Sequence, residues 1–167
     1  MDQEAKKTTL RMIPYGLYVL TTGSEGGPVA AATVNWVTQA SFEPPLIAVG
    51  VKADSSGHQI IKDTQSFVLN VLGKGQQDIA FKFFKPAAIE GGTIGGEPFR
   101  TGETGAPILE RTPAYAECRV VDSVEKGDHS VFVAEVVDVG VSAPFDGRAD
   151  DATLWMKDLG EKTFYGG

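Results

Sequence analysis

Six runs rich in valine, isoleucine, threonine and aromatic residues follow one another along this chain, and their succession limits the folds open to it. The runs are Tyr15–Thr22, Val29–Trp36, Leu46–Val51, Phe67–Leu72, Ala114–Val121 and Ser130–Val139. Such residues favour strands, and glycine, proline, asparagine or aspartate separates the runs. Two of the separators, Gly23–Pro28 and Lys126–Asp128, are typical of antiparallel hairpin turns. The sequence therefore predicts a mainly β fold.

Three short helical segments accompany the predicted strands. They are Asp2–Met12, which has acidic residues in its first turn, Ser55–Asp63 and Gln76–Lys85. The third places its apolar side chains on one face, which predicts a helix over a barrel mouth or edge. Residues 87–107 contain six glycines and no sustained period, so they are predicted to form a long loop, either a lid or a mobile excursion.

The length of 167 residues predicts one domain over residues 1–167. No apolar stretch reaches the roughly 20 residues that span a bilayer, and the acidic start Met1–Glu4 is unlike a secretory signal. We therefore expect a cytoplasmic protein without a membrane partner. The single cysteine, Cys118, lies in an alternating apolar stretch and is predicted to pack in the core. One cysteine and two histidines without ligand spacing argue against a metal site.

The net charge of −7 argues against a nucleic-acid partner, because phosphate contacts need clustered lysine and arginine. The charge is unevenly distributed. Residues 52–85 carry five lysines against three aspartates, whereas residues 101–167 carry six basic against 13 acidic residues. A small phosphorylated ligand would therefore prefer the middle third of the chain.

A polar stretch follows the second β run and leads into the segment Glu43–Pro45. Its side chains are Thr33, Asn35, Thr38, Gln39 and Ser41. Short hydroxyl and amide groups, with backbone groups freed where a strand ends, can satisfy a flat polar heterocycle. An ordinary strand-to-turn transition explains the same residues, and the residues by themselves leave both interpretations open.

A second candidate site follows the most apolar run. Lys52, Ser55 and Ser56 lie at the start of a predicted helix whose first turn also contains His58. Exposed N–H groups, the helix dipole, hydroxyls and a lysine suit a phosphate. The alternative is that Ser55 or Ser56 only caps the helix, which is the most common use of serine there.

Five motifs in order, from about Tyr15 to Val139, together resemble the flavin reductase-like, FMN-binding split-barrel family. The first two are Ala32–Ser41 with Pro44–Leu46, and Lys52 with Ser55–His58. The others are Phe67–Leu72 with Ile79–Phe83, Thr104–Leu109 before Glu117–Val120, and Gly127–Val136. Each motif is weak alone, and their shared order makes the resemblance specific.

The resemblance implies an FMN-binding split barrel, an antiparallel Greek-key-type barrel with a few short helices. It implies that the flavin ring and ribityl chain lie against Asn35, Trp36, Val37, Thr38 and Ser41, partly through backbone groups. The residues implied around the phosphate are Lys52, Ser55, Ser56 and His58, with Phe83 nearby. His129 resembles the family histidine near the nicotinamide, which makes it the candidate catalytic residue. A satisfied histidine at a strand start is the alternative.

The resemblance also implies an oxidoreductase in which NAD(P)H reduces FMN, or FAD, and electrons pass on to oxygen, free flavin or a protein. A homodimer is expected. Trp36 and Val37 replace residues that are often small or hydroxylated in the family, and the end, Leu154–Gly167, follows the family pattern only loosely. By the resemblance, both departures lie where a nicotinamide would need to enter the site.

Two other functions are compatible with the sequence. One is a non-enzymatic FMN electron-transfer protein, reduced by a partner such as rubredoxin or a separate reductase. The acidic final third of the chain would suit docking to a basic surface. The other is a flavin- or haem-binding module without turnover.

Overall fold

The computed structural model describes residues 1–142 and 144–167. It is mainly antiparallel β with a few short helices, which confirms the predicted fold class. The strands are β1 (Tyr18–Gly23), β2 (Val29–Val34), β3 (Val37–Ser41), β4 (Leu46–Lys52), β5 (Ser66–Val71), β6 (Ile89–Glu90), β7 (Thr93–Ile94), β8 (Glu97–Thr101), β9 (Pro107–Leu109), β10 (Ala114–Val124) and β11 (His129–Val141). The helices are α1 (Gln3–Arg11), α2 (Ser56–Thr64) and α3 (Gln77–Lys82), with 3-10 turns at Ala149–Ala152 and Met156–Leu159.

Seven strands form one antiparallel sheet in the order β2-β1-β5-β10-β11-β4-β3. The two predicted hairpins are confirmed, since β1 pairs with β2 and β10 pairs with β11. The edge strands β2 and β3 are separated in sequence only by Asn35 and Trp36. Because consecutive strands occupy opposite edges, the sheet must curl until those edges meet, as strands do in a barrel.

Strand β3 lies where the sequence predicts no separate strand, in the polar stretch after Trp36. It pairs with β4, and Val37 faces Val49 in that register. Asn35 and Trp36 form the crossover from β2 to β3. Their backbone also bonds to β4, because the Gly50 amide donates to the Trp36 carbonyl at 2.9 Å. The partner strand therefore makes this polar segment extended, although its residues also suit a turn.

The prediction that residues 87–107 form one long loop is wrong. Strands β6 to β9 form a second antiparallel sheet here, and Ile94 is fully buried in the core. Gly91 and Gly92 have φ of 55° and 80°, and they join β6 to β7 as a two-residue turn. Such turns need positive φ at both central positions, which glycine adopts without steric cost. Strands of two residues are too short to show a period in the sequence.

Helix α3 lies along the edge of β2. The Thr33 amide donates to the Phe83 carbonyl at 3.0 Å, and the Thr33 hydroxyl donates to the Ala80 carbonyl at 2.8 Å. Ile79 and Ala80 are fully buried beneath the helix. These contacts cover an edge strand whose backbone would otherwise stay open, and they set the position of Phe83.

The core has two main clusters, one on each side of the central strands. The first includes Leu17, Leu72, Phe83 and Leu154, and the second includes Phe67 and Phe132. Cys118 belongs to the second cluster and is fully buried, as predicted. Burial in this apolar setting raises the pKa of the Cys118 thiol to about 12.

Among the residues that the structure describes, no helix has the length and hydropathy needed to cross a membrane.

Candidate functional site

A cavity of about 690 Å³ opens between β2, the start of α2, the end of α3 and the segment Thr163–Tyr165. Pockets for small ligands and cofactors usually have volumes of about 300–1,000 Å³. Much of the wall is apolar and includes Leu17, Leu20 and Phe83. Polar groups lie in the wall at the start of α2, at the crossover from β2 to β3 and at the start of β11. Such a cavity suits a long ligand with a flat apolar part and a polar tail.

The start of α2 forms one polar end of the cavity. Ser55 caps the helix, because its hydroxyl accepts a hydrogen bond from the His58 amide at 3.2 Å, and it also donates to the Lys52 carbonyl at 2.8 Å. This confirms the capping interpretation for Ser55. The amides of Ser56 and Gly57 precede the intrahelical hydrogen bonds of α2, and both residues line the cavity.

Three charged side chains line the cavity. Lys52 and Lys85 line the cavity together with Asp54, so the ammonium groups exceed the carboxylates by one. Lys52 pairs with Asp54 at 3.1 Å. The hydrogen bond that Lys52 donates to Asp54, and then the charge of that carboxylate, raise the pKa of Lys52 and keep its side chain cationic. An anion at this end meets helix amides and an excess of positive charge.

Asn35 lies at the other end, where the chain leaves β2. Its side chain is almost fully buried, and its amide nitrogen donates to the carbonyl of Tyr165 at 3.1 Å. Burial of an amide group requires such a partner. The partner here comes from the C-terminal segment, 130 residues further along the chain.

His129 opens β11 opposite Lys52 and also lines the cavity. Its Nδ1 is 2.9 Å from a carboxylate oxygen of Asp128, and its Nε2 is 2.7 Å from the hydroxyl of Tyr165. A carboxylate only accepts, so Nδ1 donates to Asp128, and in the neutral imidazole Nε2 accepts from Tyr165. Burial raises the pKa of the Tyr165 phenol, which keeps its proton in place. The hydrogen bond from His129, and then its charge, lower the pKa of Asp128.

Trp36 packs beside this chain of hydrogen bonds. Its ring centroid lies 4.5 Å from that of His129 and 5.5 Å from that of Tyr165. The indole Nε1 is buried and has no hydrogen-bond partner among the described residues. Trp36 does not line the large cavity; it lines a second one of about 670 Å³, which it shares with Asp128, His129 and Tyr165.

Residues 10–158 match the family model of the flavin reductase-like domain. This match covers most of the chain.

The chain belongs to the flavin reductase-like family.

Curated relatives of this chain include the reductase component of a monooxygenase and larger flavoproteins. The chain is 33% identical over 138 residues to the reductase component of 4-nitrophenol 4-monooxygenase/4-nitrocatechol 2-monooxygenase of Rhodococcus opacus, covering 83% of this chain and 72% of that protein. It is 34% identical over 137 residues to diflavin flavoprotein A 1 of Synechocystis, covering 81% of this chain and 24% of that protein. The chain thus spans about a quarter of the length of that relative.

A solved structure has a similar fold. It is the NADH:FAD oxidoreductase SgcE6 of Streptomyces globisporus C-1027 in complex with NAD and FAD fragments. The TM-score is 0.69 at 28% sequence identity, and the alignment covers 83% of this chain and 81% of that one.

The structure brings six of the predicted site residues of this flavin reductase-like domain to one cavity. They are Asn35, Lys52, Ser55, Ser56, Phe83 and His129. The helix start and the β2 crossover are separated by 20 residues of sequence, and the curled sheet brings them to the same opening. Ser55 caps α2, so its hydroxyl already makes two hydrogen bonds within the protein.

Five predicted residues lie outside that cavity, and Trp36 is one of them. His58 points into the core, where its Nε2 is 2.8 Å from the Ser130 hydroxyl and its ring packs on Phe132. Ser55, which caps the helix at the cavity, lies about one helical turn before the buried His58. Val37, Thr38 and Ser41 belong to β3, which pairs with β4 on the far side of the crossover.

The sequence analysis does not predict that residues near the C-terminus line the cavity. Thr163, Phe164 and Tyr165 line the cavity, and Arg11 lies 4.4 Å above the Phe164 ring. Lys85 and Phe84 line it as well. The Phe-Tyr pair near the end was the available signal, because two adjacent aromatic residues in a polar glycine-rich segment need a surface on which to pack.

Proposed function

We propose that this flavin reductase-like domain binds FMN in the 690 Å³ cavity and oxidises NAD(P)H. One observation carries the proposal. The start of α2, with Lys52 and Ser56, lines the same cavity as an apolar wall with Asn35 and His129. The first group suits a phosphate and the second a flat polar ring. The similar structure from Streptomyces globisporus, an NADH:FAD oxidoreductase in complex with NAD and FAD fragments, supports a flavin and a nicotinamide together.

The described residues fit a flavin phosphate. The amides of Ser56 and Gly57 supply two donors at the positive end of the α2 dipole. Lys52 remains cationic beside Asp54 and is 56% exposed, so its ammonium can turn towards an anion. We propose FMN because its single phosphate matches this single anion-binding end. FAD is the alternative that a binding experiment separates.

A bound flavin supplies the redox chemistry, taking a hydride from the nicotinamide and passing electrons to oxygen, free flavin or a protein acceptor. The protein then has to position the two ligands and exclude water. Phe83 and Leu17 provide apolar wall, and both are buried. We assign His129 the role of orienting the nicotinamide, because its imidazole lies at the cavity surface and is held by Asp128.

The test of this function is spectroscopic. The purified chain is loaded with FMN or FAD, and each affinity is measured by flavin fluorescence. NADH or NADPH is then added without oxygen in a stopped-flow instrument, and loss of the visible flavin absorption is recorded. We expect tighter FMN than FAD binding and bleaching by at least one nucleotide. No bleaching by either would contradict the reductase proposal.

The second candidate is an electron-transfer domain whose FMN is reduced by a protein partner. Tyr165 favours it, since that residue occupies hydrogen-bonding groups of both Asn35 and His129 on the side where a nicotinamide would enter. In this case NAD(P)H leaves the bound flavin oxidised, while reduced rubredoxin bleaches it. Rates of reduction by the partner should fall as salt rises, because the acidic surface would steer the encounter.

We also propose a homodimer of single-domain chains in the cytoplasm. The first and last thirds of the chain pack together, since the Leu17 amide donates to the Leu154 carbonyl at 2.8 Å, which supports one domain. Val139 and Val141 are 64% and 65% exposed on neighbouring outward positions of β11, and such apolar surface suits a partner copy. Light scattering coupled to size-exclusion chromatography tests the dimer.

A further inference from the structure

The segment Thr163–Gly167, here termed the C-terminal strap, lies across the mouth of the cavity without regular secondary structure. Tyr165 contacts both polar groups that were expected to meet a ligand near the ring. Its carbonyl accepts from the Asn35 side chain at 3.1 Å, and its hydroxyl is 2.7 Å from His129 Nε2. One residue of the chain thus occupies a donor and an acceptor of the site.

The strap makes few contacts, and both of its aromatic side chains are partly exposed. Tyr165 is 46% exposed and Phe164 is 53% exposed. Beyond the Tyr165 contacts, the strap is held by Arg11, which donates to the Gly166 carbonyl at 3.4 Å and stacks over Phe164. It is also held at its start by Thr163, whose amide donates to the Gly160 carbonyl at 3.1 Å. Segments with little buried apolar surface open at low free-energy cost, so the strap can leave while the barrel stays folded.

The geometry points to Tyr165 as a residue that competes with the nicotinamide for His129. This inference rests on the proposed reductase function. With the strap closed, the Nε2 of His129 accepts from the phenol and cannot accept from a carboxamide. A nicotinamide therefore binds only those molecules whose strap is released. Its apparent Kd is the intrinsic Kd divided by the released fraction.

The test uses the FMN-loaded chain and the variant Tyr165→Phe, which keeps the ring and removes the hydroxyl bond. One lost neutral hydrogen bond should raise the released fraction about fivefold. We expect the apparent KM for NADH or NADPH to fall by about that factor. The Kd of NAD⁺ or NADP⁺, measured from the flavin difference spectrum, should fall equally.

A readout without nucleotide is tryptic cleavage after Lys162, the residue before the strap. Cleavage needs the following residues to leave the surface, so its rate reports the released fraction. It should rise about fivefold in Tyr165→Phe, in the absence of any nucleotide. Tyr115→Phe is the matched control, since the Tyr115 hydroxyl bonds Asp138 at 3.0 Å, outside the residues lining the cavity.

An unchanged or raised KM in Tyr165→Phe, with nucleotide binding present in both proteins, overturns the competition and leaves the reductase function standing. If neither protein binds or is bleached by a nucleotide while both bind FMN, the proposed function fails and the inference fails with it. Equal changes in the Tyr115→Phe control would show that the effect does not come from the strap.

Discussion

The hydroxyl of Tyr165 and the Nε2 of His129 lie 2.7 Å apart, although the two residues belong to the C-terminal strap and to β11. On its other side the imidazole holds Asp128 at 2.9 Å. The three side chains form one directed series, in which the phenol donates to the imidazole and the imidazole donates to the carboxylate. The orientation of this series determines which ring nitrogen of His129 carries the proton.

Asp128→Asn should change the tautomer of His129. The amide that replaces the carboxylate can donate to Nδ1, so the preference for an Nδ1 proton is lost. Nitrogen-15 NMR of the imidazole should show mainly the Nδ1–H form in the parent and a larger Nε2–H fraction in the variant. The change Asp122→Asn, on exposed β10, should leave the His129 signals where they are. Identical His129 spectra in all three proteins would contradict the donor assignment.

Lys52→Met should weaken FMN binding about tenfold, the effect of removing one charged hydrogen-bond donor. Riboflavin has the same ring and no phosphate, so its affinity should stay the same. Fluorescence titration with both ligands makes the comparison. Lys62→Met is the matched control, because Lys62 pairs with Glu125 at 3.0 Å and does not line the cavity. Equal weakening of FMN and riboflavin binding would show that Lys52 does not contact the phosphate.

The stability of the protein should depend on Cys118 at alkaline pH. Burial raises the pKa of this thiol to about 12, whereas an exposed thiol ionises near 9.0. The unfolded chain therefore loses this proton first, and the free energy of unfolding falls as pH rises from about 9 to about 12. Relative to neutral pH, the loss reaches up to about 4 kcal/mol.

Urea unfolding of the parent and of Cys118→Ala, at a series of pH values, isolates this contribution. The difference in unfolding free energy between the two proteins should shrink steadily above pH 9, the unfolded value. A constant difference across the series would show that the thiol ionises equally in both states.

Glu97→Ala should lower the free energy of unfolding by about 2 kcal/mol. Glu97 is almost fully buried on β8 and pairs with Lys82 and, at 3.0 Å, with Arg111. Those partners are 33% and 50% exposed, so they keep part of their hydration when the carboxylate is removed. We therefore expect less than the 3–5 kcal/mol typical of a fully buried pair.

The exposed pair of Glu103 and Arg119 is the control for that measurement. Its atoms are 3.5 Å apart and both side chains are more than half exposed. Glu103→Ala should change stability by less than about 1 kcal/mol, because such pairs are screened by water. Similar losses in the two variants would mean that the burial of Glu97 does not matter.

Several features follow from the sequence because they depend on neighbouring residues. Runs rich in β-branched and aromatic residues predicted the long strands, and the turn residues at 23–28 and 126–128 predicted the hairpins. The cap at Ser55 also follows from local chemistry, since an N-cap serine bonds an amide three residues away. The turn at Gly91 and Gly92 carried an equally local signal, but strands of two residues showed no period beside it.

Tertiary structure alone determined which side chains share the cavity. His58 and Ser55 are three residues apart, yet packing on Phe132 turns one inward while the other caps the helix at the cavity. The contact between Asn35 and Tyr165 joins residues 130 positions apart. A sequence pattern reports the faces of one element, whereas such a contact depends on the curl of the whole sheet. The chain by itself thus determined a β fold with a phosphate-suited helix start, and folding determined that Tyr165 closes the site.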